Sequence, residues 1–314
     1  MLGQLAKDFP QDVRVVYRHF PLPGHDKSLL ATQAAEAAGL QGKFWEMHDA
    51  IFAGQGSWTG MTLDQFETWL KDQAKTLGLD EAKFATDLKS DALVQKATQA
   101  TENGNKLGIP GTPLILINSE VYQGPRDYEN LASIVSLYKL QERQFKSCPP
   151  MTIDPKKQYT ATLKTDVGDI VIQLFADKAQ MAVNSFIFLA NQGWYNNNLW
   201  YRVIPGSFAQ SGDPSGSGNG DPGYAYSNEI AADSKFDKPG VFGMFNSGPS
   251  MNGSRFFIIY TPAPELDGQY TVFGQVIAGM DVLAKLTPRN PSDPNAGNPL
   301  PAGSKIISVT ITEK

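Results

Sequence analysis

The sequence predicts two domains of different class, an α/β domain followed by a mainly-β one. Its 314 residues are about twice the usual ~150 of a single domain. Residues 1–148 hold 12 of the 29 glycines and 6 of the 21 prolines, so turns are sparse in the first half and dense in the second. Between the halves stands Lys146-Ser-Cys-Pro-Pro-Met-Thr-Ile-Asp-Pro155, where clustered prolines stiffen the chain and stop helices. The domains are therefore drawn as 1–144 and 158–314, with a Pro-rich linker at 145–157.

In the first half the spacing predicts mostly helix. Val13 to Tyr17 (Val-Arg-Val-Val-Tyr) reads as a short β-branched strand. Leu29–Ala38 is alanine-rich, and Phe44–Phe52 has apolar residues three and four apart. Thr62 starts a helix that places Phe66, Trp69 and Leu70 on one face. A further helix covers Ala92–Leu107, and Gly108-Ile-Pro-Gly-Thr-Pro113 leads into a strand at Leu114–Ile117. A turn at Asn118-Ser-Glu and a last helix from Asp127 to about Gln141 complete this half.

The second half alternates strands and turns. Tyr159–Leu163 and Ile170–Phe175 flank the hairpin signal Asp166-Val-Gly-Asp169. Val183–Asn191 is a helix ending at Gln192-Gly193. Strands follow at Leu199–Ile204, Gly240–Phe245, Arg255–Tyr260, Thr271–Val276 and Ile306–Ile311. Many strands with abundant glycine indicate a barrel or sandwich.

Composition excludes several functions. Hydrophobic residues are 41% and charged residues 19%, enough for packed cores, and no apolar run approaches the ~18 residues of a membrane span. A net charge of −5 argues against nucleic acid or anionic membrane as a partner. The single cysteine, Cys148, reads as a free thiol and excludes an internal disulfide, a CxxC pair or a cysteine zinc site. All three histidines precede residue 50. His19 and His25 are conceivable metal ligands, but His19 in a strand reads better as a packed side chain. Gly218-Asn-Gly-Asp-Pro-Gly223 matches GxGxxG without the flanking strand and helix, and Pro222 has no amide proton to offer a pyrophosphate. Asn252-Gly-Ser254 is a glycosylation sequon of a kind that arises often by chance.

What remains is a concentration of residues around Trp200-Tyr-Arg-Val-Ile-Pro-Gly-Ser-Phe-Ala-Gln-Ser-Gly-Asp213, Gly243-Met-Phe-Asn-Ser-Gly-Pro-Ser-Met-Asn-Gly-Ser-Arg-Phe-Phe-Ile258 and Pro264-Glu-Leu-Asp-Gly-Gln-Tyr-Thr-Val-Phe-Gly274. Alternation puts Arg202 on the strand face of Trp200 and Ile204, where an arginine needs hydrogen bonds. By itself this fits a structural ion pair or a rim charge. In Phe256-Phe257 one ring faces inward and its neighbour outward.

These three segments, in order and with near-family spacing from about Tyr159 to Glu313, resemble the cyclophilin family of peptidyl-prolyl isomerases. The resemblance implies a closed eight-stranded β-barrel acting on X–Pro bonds of unfolded or partly folded polypeptides, with no metal or cofactor. It implies that Arg202 is catalytic and polarises the twisting amide. It also implies that Phe208, Phe257 and Leu266 cup the proline ring, that Gln210 orients Arg202 or a substrate carbonyl, and that the Asn246 backbone pairs with the peptide. Ser207 stands where the family has a pocket phenylalanine, and Phe208 where it has methionine. Phe245 replaces a small residue, Arg255 a glutamine beside the peptide path, and Tyr270 a histidine. Glu265 replaces the tryptophan of cyclosporin-sensitive members, which implies weak cyclosporin binding. Ser207 and Phe245 keep open a second reading, a non-catalytic module that holds proline-containing segments.

In the first half, Val13-Arg-Val-Val-Tyr-Arg-His-Phe-Pro-Leu22, Ala34-Ala-Glu-Ala-Ala38, Gly42-Lys-Phe-Trp-Glu-Met-His48 and Gly108-Ile-Pro-Gly-Thr-Pro-Leu114 resemble a DsbA-type thioredoxin-fold domain. The resemblance implies an incomplete α/β thioredoxin-like fold with a helical insertion. It implies a cis-proline at Thr112–Pro113 that helps to hold peptide. The redox CxxC and the first strand of that family have no counterpart, and the expectation is a truncated N-terminus. A longer form carrying them would be a thiol-disulfide oxidoreductase. Both families imply a bacterial protein of the cell envelope or another extracytoplasmic site.

Overall fold

Caps and apolar spacing set the helices in the computed structural model, which describes residues 1–293 and 300–314. They are α1 (Leu2–Asp8), α2 (Ser28–Gly39), α3 (Phe44–Ala53), α4 (Gln55–Trp58), α5 (Leu63–Thr76), α6 (Glu81–Leu88) and α7 (Asp91–Lys106). Two compact units emerge: Val16–Gln123, and Met1–Val15 with Gly124–Lys314.

Within Val16–Gln123, Thr62 accepts from the Gln65 amide while the Gln65 side chain accepts from the Thr62 amide, a capping box that starts α5. Asp80 and Ser90 cap α6 and α7 in the simpler way. Ala34, Ala37, Ala38, Met47, Ile51, Phe66, Leu70, Ala74, Phe84 and Leu88 bury a helical core. Helices α4 and α6 went unread in the sequence, because each is short, four and eight residues.

The expected strand at Val13–Tyr17 does not form; residues 13–22 have no regular structure. β-Branched residues favour extended backbone, but a strand also needs a neighbour to take its N–H and C=O groups. Among the described residues no strand pairs with 13–17. Strand pairing in this half is confined to β1 (Leu116–Ile117) and β2 (Glu120–Val121), shorter than the predicted Leu114–Ile117. Asn118 and Ser119 turn this hairpin with φ of 48° and 74°.

In the other unit, Asp127 caps α8 (Tyr128–Gln141) by accepting from the Asn130 amide at 2.9 Å. The segment after α8 lies against the sheet domain. Phe145 N–H donates to Pro222 O at 2.8 Å, the Asn184 side chain accepts from Thr152 N–H at 2.9 Å, and Ile153 is buried. The remaining elements are β3 (Tyr159–Thr165), β4 (Gly168–Leu174), α9 (Gln180–Asn191), β5 (Asn198–Leu199), β6 (Arg202–Ile204), β7 (Phe208–Ser211), β8 (Val241–Asn246), β9 (Asn252–Ile259), a 3₁₀ turn (Pro264–Leu266), β10 (Val272–Ala278), α10 (Met280–Leu283) and β11 (Lys305–Glu313).

The strands form one antiparallel, curled sheet in the order β5-β11-β3-β4-β10-β8-β9-β7-β6. The implied closed eight-stranded barrel is thus replaced by an open, nine-stranded half-barrel. The predicted strand Leu199–Ile204 is interrupted at Trp200-Tyr201, so its two pieces stand at opposite edges of the sheet, β5 paired with β11 and β6 with β7. Inside the curl, Phe186 of α9 meets Phe242, Phe256 and Phe273 at centroid distances of 5.5, 5.9 and 5.7 Å. The glycine-rich stretch after β7 is shaped by Asp213, whose buried carboxylate accepts from the amides of Gly218 and Gly220 at 2.7 and 3.0 Å. A Cβ on Gly220 would sit 2.0 Å from that carboxylate, which explains the glycine without any nucleotide.

Candidate active site

Two cross-strand rows decide which side chains meet. One runs Arg202 (β6), Gln210 (β7), Phe257 (β9), Gly243 (β8) and Val272 (β10). Its neighbour runs Val203, Ala209, Ile258 and Phe242. Residues opposite each other share a face, and successive residues alternate. The second row lies in the main core with Phe256. The first row therefore points the other way, into a separate apolar cluster.

That cluster has a buried floor of Phe236, Val241, Phe257, Ile259 and Val272, against which Phe208, Phe245, Leu266 and Tyr270 are partly buried. Phe236 and Phe257 stack at 5.5 Å with planes 14° apart. Glycine at 243 makes the stack possible, since a Cβ there would lie 2.8 Å from Phe257 and 2.9 Å from Phe236. The loop carrying Phe236 is clamped: its N–H donates to Asp267 Oδ1 at 2.8 Å and its carbonyl accepts from Ala263 N–H at 2.8 Å.

Arg202 stands at one end of this cup. Its guanidinium lies 5.2 Å from the Phe208 ring centroid, and its Nε–H donates to Asn290 Oδ1 at 3.2 Å. Asn290 is placed by the bridge between Val203 and Arg289, whose amides and carbonyls bond at 2.6 and 3.0 Å. That partner is a neutral amide, and among the described residues Arg202 takes part in no ion pair, so a guanidinium with five N–H donors keeps capacity for a ligand. The predicted neighbour Trp200 is elsewhere: it is fully buried in the main core, 5.8 Å from Phe256. The interruption of the ladder at 200–201 breaks the alternation that the sequence reading carried through it.

Gln210 is 2% exposed and sits between Arg202 and Phe257 in the ladder. Tyr201 lies close to Gln210, Arg202 and Arg255, and burial pushes its phenol far above the usual tyrosine range. Asn246 spends its side chain internally, donating to Asn228 Oδ1 at 3.1 Å and accepting from Gly248 N–H at 3.1 Å. The rings of Phe245 and Tyr270 stack at 6.4 Å, and Tyr270 meets Phe257 edge-on at 5.4 Å. Arg255 lies 5.0 Å over Phe245 and donates to Gly218 O and to Ser247 Oγ, the latter at 2.8 Å. Leu266 and Glu265 share the 3₁₀ turn, Leu266 toward the cup and Glu265 exposed.

Ser207 is not brought into the cup. It occupies the exposed turn between β6 and β7, where its carbonyl accepts from Tyr260 N–H at 2.8 Å. Phe208 is the ring that faces Arg202 and Phe257. Sequence reasoning missed Phe236, Gly243 and Asn290, because a loop aromatic, a strand glycine and a distant amide carry no local signal of convergence. The sequon residue Asn252 is buried, and its side-chain amide donates to Asn228 Oδ1 at 2.8 Å.

In the other half, the Thr112–Pro113 bond is cis, as the resemblance implied, and both residues are exposed. His19 packs edge-on against Tyr17 at 5.1 Å, with Nε2 3.3 Å from Glu36. His25 is exposed. Cys148 is a free thiol lying 3.5 Å from Ala225 O. No helix among the described residues is long and apolar enough to cross a membrane.

The sheet thus carries an arginine beside an apolar cup on the face turned away from its main core. Residues 160–311 match the family model for cyclophilin type peptidyl-prolyl cis-trans isomerase, and the chain belongs to that family. Residues 4–136 match a thioredoxin family model, so a thioredoxin-like domain precedes the isomerase domain. "Peptidyl-prolyl cis-trans isomerase-like 3" of Rhizopus delemar is 40% identical over 161 residues, covering 48% of this chain and 94% of that protein. "Peptidyl-prolyl cis-trans isomerase-like 2" of the same organism is 43% identical over 134 residues, 42% of this chain and 25% of that protein. This chain thus spans about a quarter of the length of the isomerase-like 2 relatives it matches. A solved Cryptosporidium parvum cyclophilin type isomerase, crystallised in the presence of the dipeptide Ala-Pro, is 30% identical, covers 49% of this chain and 99% of its own, and has a TM-score of 0.44. The Rhizopus relatives are fungal, so the expectation of a bacterial source finds no support in them.

Proposed function

We propose that the cup beside Arg202 catalyses cis–trans isomerisation of X–Pro bonds in unfolded or partly folded polypeptides. The observation that carries this is the single cross-strand row that puts Arg202, Gln210 and Phe257 on one face, over an apolar floor separate from the core. An X–Pro amide resists rotation by ~18–20 kcal/mol because resonance stiffens its C–N bond. As the bond twists, conjugation is lost and the prolyl nitrogen regains a basic lone pair. A guanidinium donating to that nitrogen is bonded more strongly in the twisted state than in the planar one, which is the condition for acceleration. No bond breaks, so the chemistry asks for a placed cation and a dry cup. An acceleration of about 10⁵ requires about 7 kcal/mol of such preference.

In this reading Phe257, Phe208 and Leu266 hold the proline ring, with Phe208 taking the place that Ser207 leaves. Gln210 and Asn290 position Arg202, and the Asn246 backbone, its side chain already engaged, pairs with the peptide. Thr112 and Pro113 form a second peptide contact in the thioredoxin-like domain. Glu265 gives cyclosporin no indole to pack on, so weak binding is expected, and a fluorescence titration yielding nanomolar affinity would refute it. The main test is two-dimensional NMR exchange on an Ala-Pro peptide. The unmutated chain should accelerate exchange, and Arg202→Ala should lose most of that acceleration while keeping its circular dichroism. No acceleration by the unmutated chain would sink the enzyme reading in favour of a holding module.

A further inference from the structure

We propose that Arg255 is a subsite for an acidic side chain, so that the domain prefers X–Pro segments carrying a carboxylate about two residues from the proline. This rests on the isomerase reading of the cup. Arg255 lies two residues from Phe257 on β9, so the two side chains share a face and stand ~7 Å apart along it. An extended peptide advances about the same distance in two residues, which sets the position of the acid relative to a proline held on Phe257.

The guanidinium is held rather than free. It stacks 5.0 Å over Phe245 and donates to Gly218 O and Ser247 Oγ, bridging the glycine-rich loop and the turn after β8. Those partners are neutral. Among the described residues, neither Arg255 nor Arg202 takes part in an ion pair. The two carboxylates in the adjoining loop are engaged elsewhere: Asp213 is buried and held by Ser215, Ser217 and the amides of Gly218 and Gly220, and Asp221 accepts from Gly223 N–H and the Gln144 side chain. The two arginines instead cap the two ends of one aromatic chain, Phe208, Phe257, Tyr270 and Phe245, with neighbouring centroids 6.4, 5.4 and 6.4 Å apart. One end serves the amide, and the other presents a fixed, uncompensated positive charge with N–H donors to spare. A planar fork of this kind matches a carboxylate. Glu265, beside Leu266 on the wall of the cup, disfavours an acid at that side.

The test compares four Ala-Pro peptides by NMR exchange at low ionic strength, with Glu or its isostere Gln placed two residues before or two residues after the proline. The expected result is a kcat/KM for one Glu peptide about threefold above its Gln partner, the size of a partly exposed ion pair. The ratio should fall toward one in Arg255→Gln and, independently of any variant, in the unmutated chain as salt is raised. A ratio of one for both pairs, or a preference that survives Arg255→Gln or high salt, overturns the proposal. Acceleration of all four peptides without discrimination would defeat the acidic subsite alone. If no peptide is accelerated, the isomerase reading fails, and chemical-shift titration with the same peptides decides the subsite by whether a Glu peptide binds more tightly.

Discussion

Phe256 and Phe257 are neighbours in the chain and belong to different regions of the molecule. Phe256 is enclosed in the core with Phe186, Trp200 and Phe242, whereas Phe257 lies on the outer face of the sheet, stacked on Phe236 beside the candidate site. The pleat makes the separation, since one residue of offset reverses the face. The core face sustains the fold and the cup face carries the proposed chemistry, so the two can be attacked separately.

The largest effect expected is on stability, from the core face. Phe256→Ala should cost about 3–5 kcal/mol, measured as a shift in urea midpoint, because a fully buried ring leaves a cavity. A cost below about 1 kcal/mol would show that the two faces are not distinct. Next comes Arg202→Ala, for which kcat/KM should fall about 10²–10³-fold, comparable to removing one preorganised donor, while the urea midpoint barely moves. Equal rates in both proteins would remove Arg202 from its role.

Gly243→Ala sharpens the comparison further, because it strikes the cup floor without altering any functional group. Its methyl group meets the Phe236 and Phe257 rings at under 3 Å, so about 1–3 kcal/mol of overpacking and a lower affinity for peptide are expected together. A variant with unchanged midpoint and unchanged KM would show that the stack does not define the cup. Phe257→Leu should cost less than about 1.5 kcal/mol in stability and still raise KM several-fold, since the apolar volume is nearly kept while the flat ring is lost.

The smallest effect lies in the helical unit. Burial lowers the His19 pKa below its ordinary 6.5, and this outweighs the opposing effect of Glu36. The fold therefore favours the neutral ring, whereas the unfolded chain takes up a proton near 6.5. The contribution of His19 is complete above that pH and is lost as pH falls from there through the lowered folded value. Urea midpoints at about pH 7.5 and 5.5 should differ less in His19→Gln than in the unmutated chain. An equal drop in both would assign the pH dependence elsewhere.

The two halves of the chain were legible in different ways. In the second, ordered motifs pointed to Arg202, Phe208, Gln210, Asn246, Phe257, Leu266 and Tyr270; Arg202, Gln210 and Phe257 share one cross-strand row, Phe208, Leu266 and Tyr270 pack on the same cup, and the Asn246 side chain turns to Asn228 and Gly248 instead. Ser207 was misplaced because the motif alignment sees positions and not turns. Trp200 was put on the wrong face because alternation was carried across a break in the ladder. In the first half Ser28–Gly39 and Phe44–Ala53 were readable from alanine content and apolar spacing, and Leu63–Thr76 from its Thr62 cap as well. The strand read at Val13–Tyr17 does not form, since a strand depends on a partner that no local pattern encodes.

The sequence by itself determined that two domains follow one another, the longer helices and most strands of the second half, though β7 (Phe208–Ser211) went unread and Leu199–Ile204 proved to be two strands. These follow from the order of side chains along the chain, which the 3.6- and 2-residue periods translate directly into faces. Tertiary structure alone decided that the sheet is an open half-barrel, that Asn290 meets Arg202, that Phe236 and Gly243 make the floor, and that Arg255 stands beside Phe245 without a carboxylate. These join residues that are not neighbours in the chain, most distantly Arg202 and Asn290, and only the closing of loops and the registry of strands can bring such groups within contact.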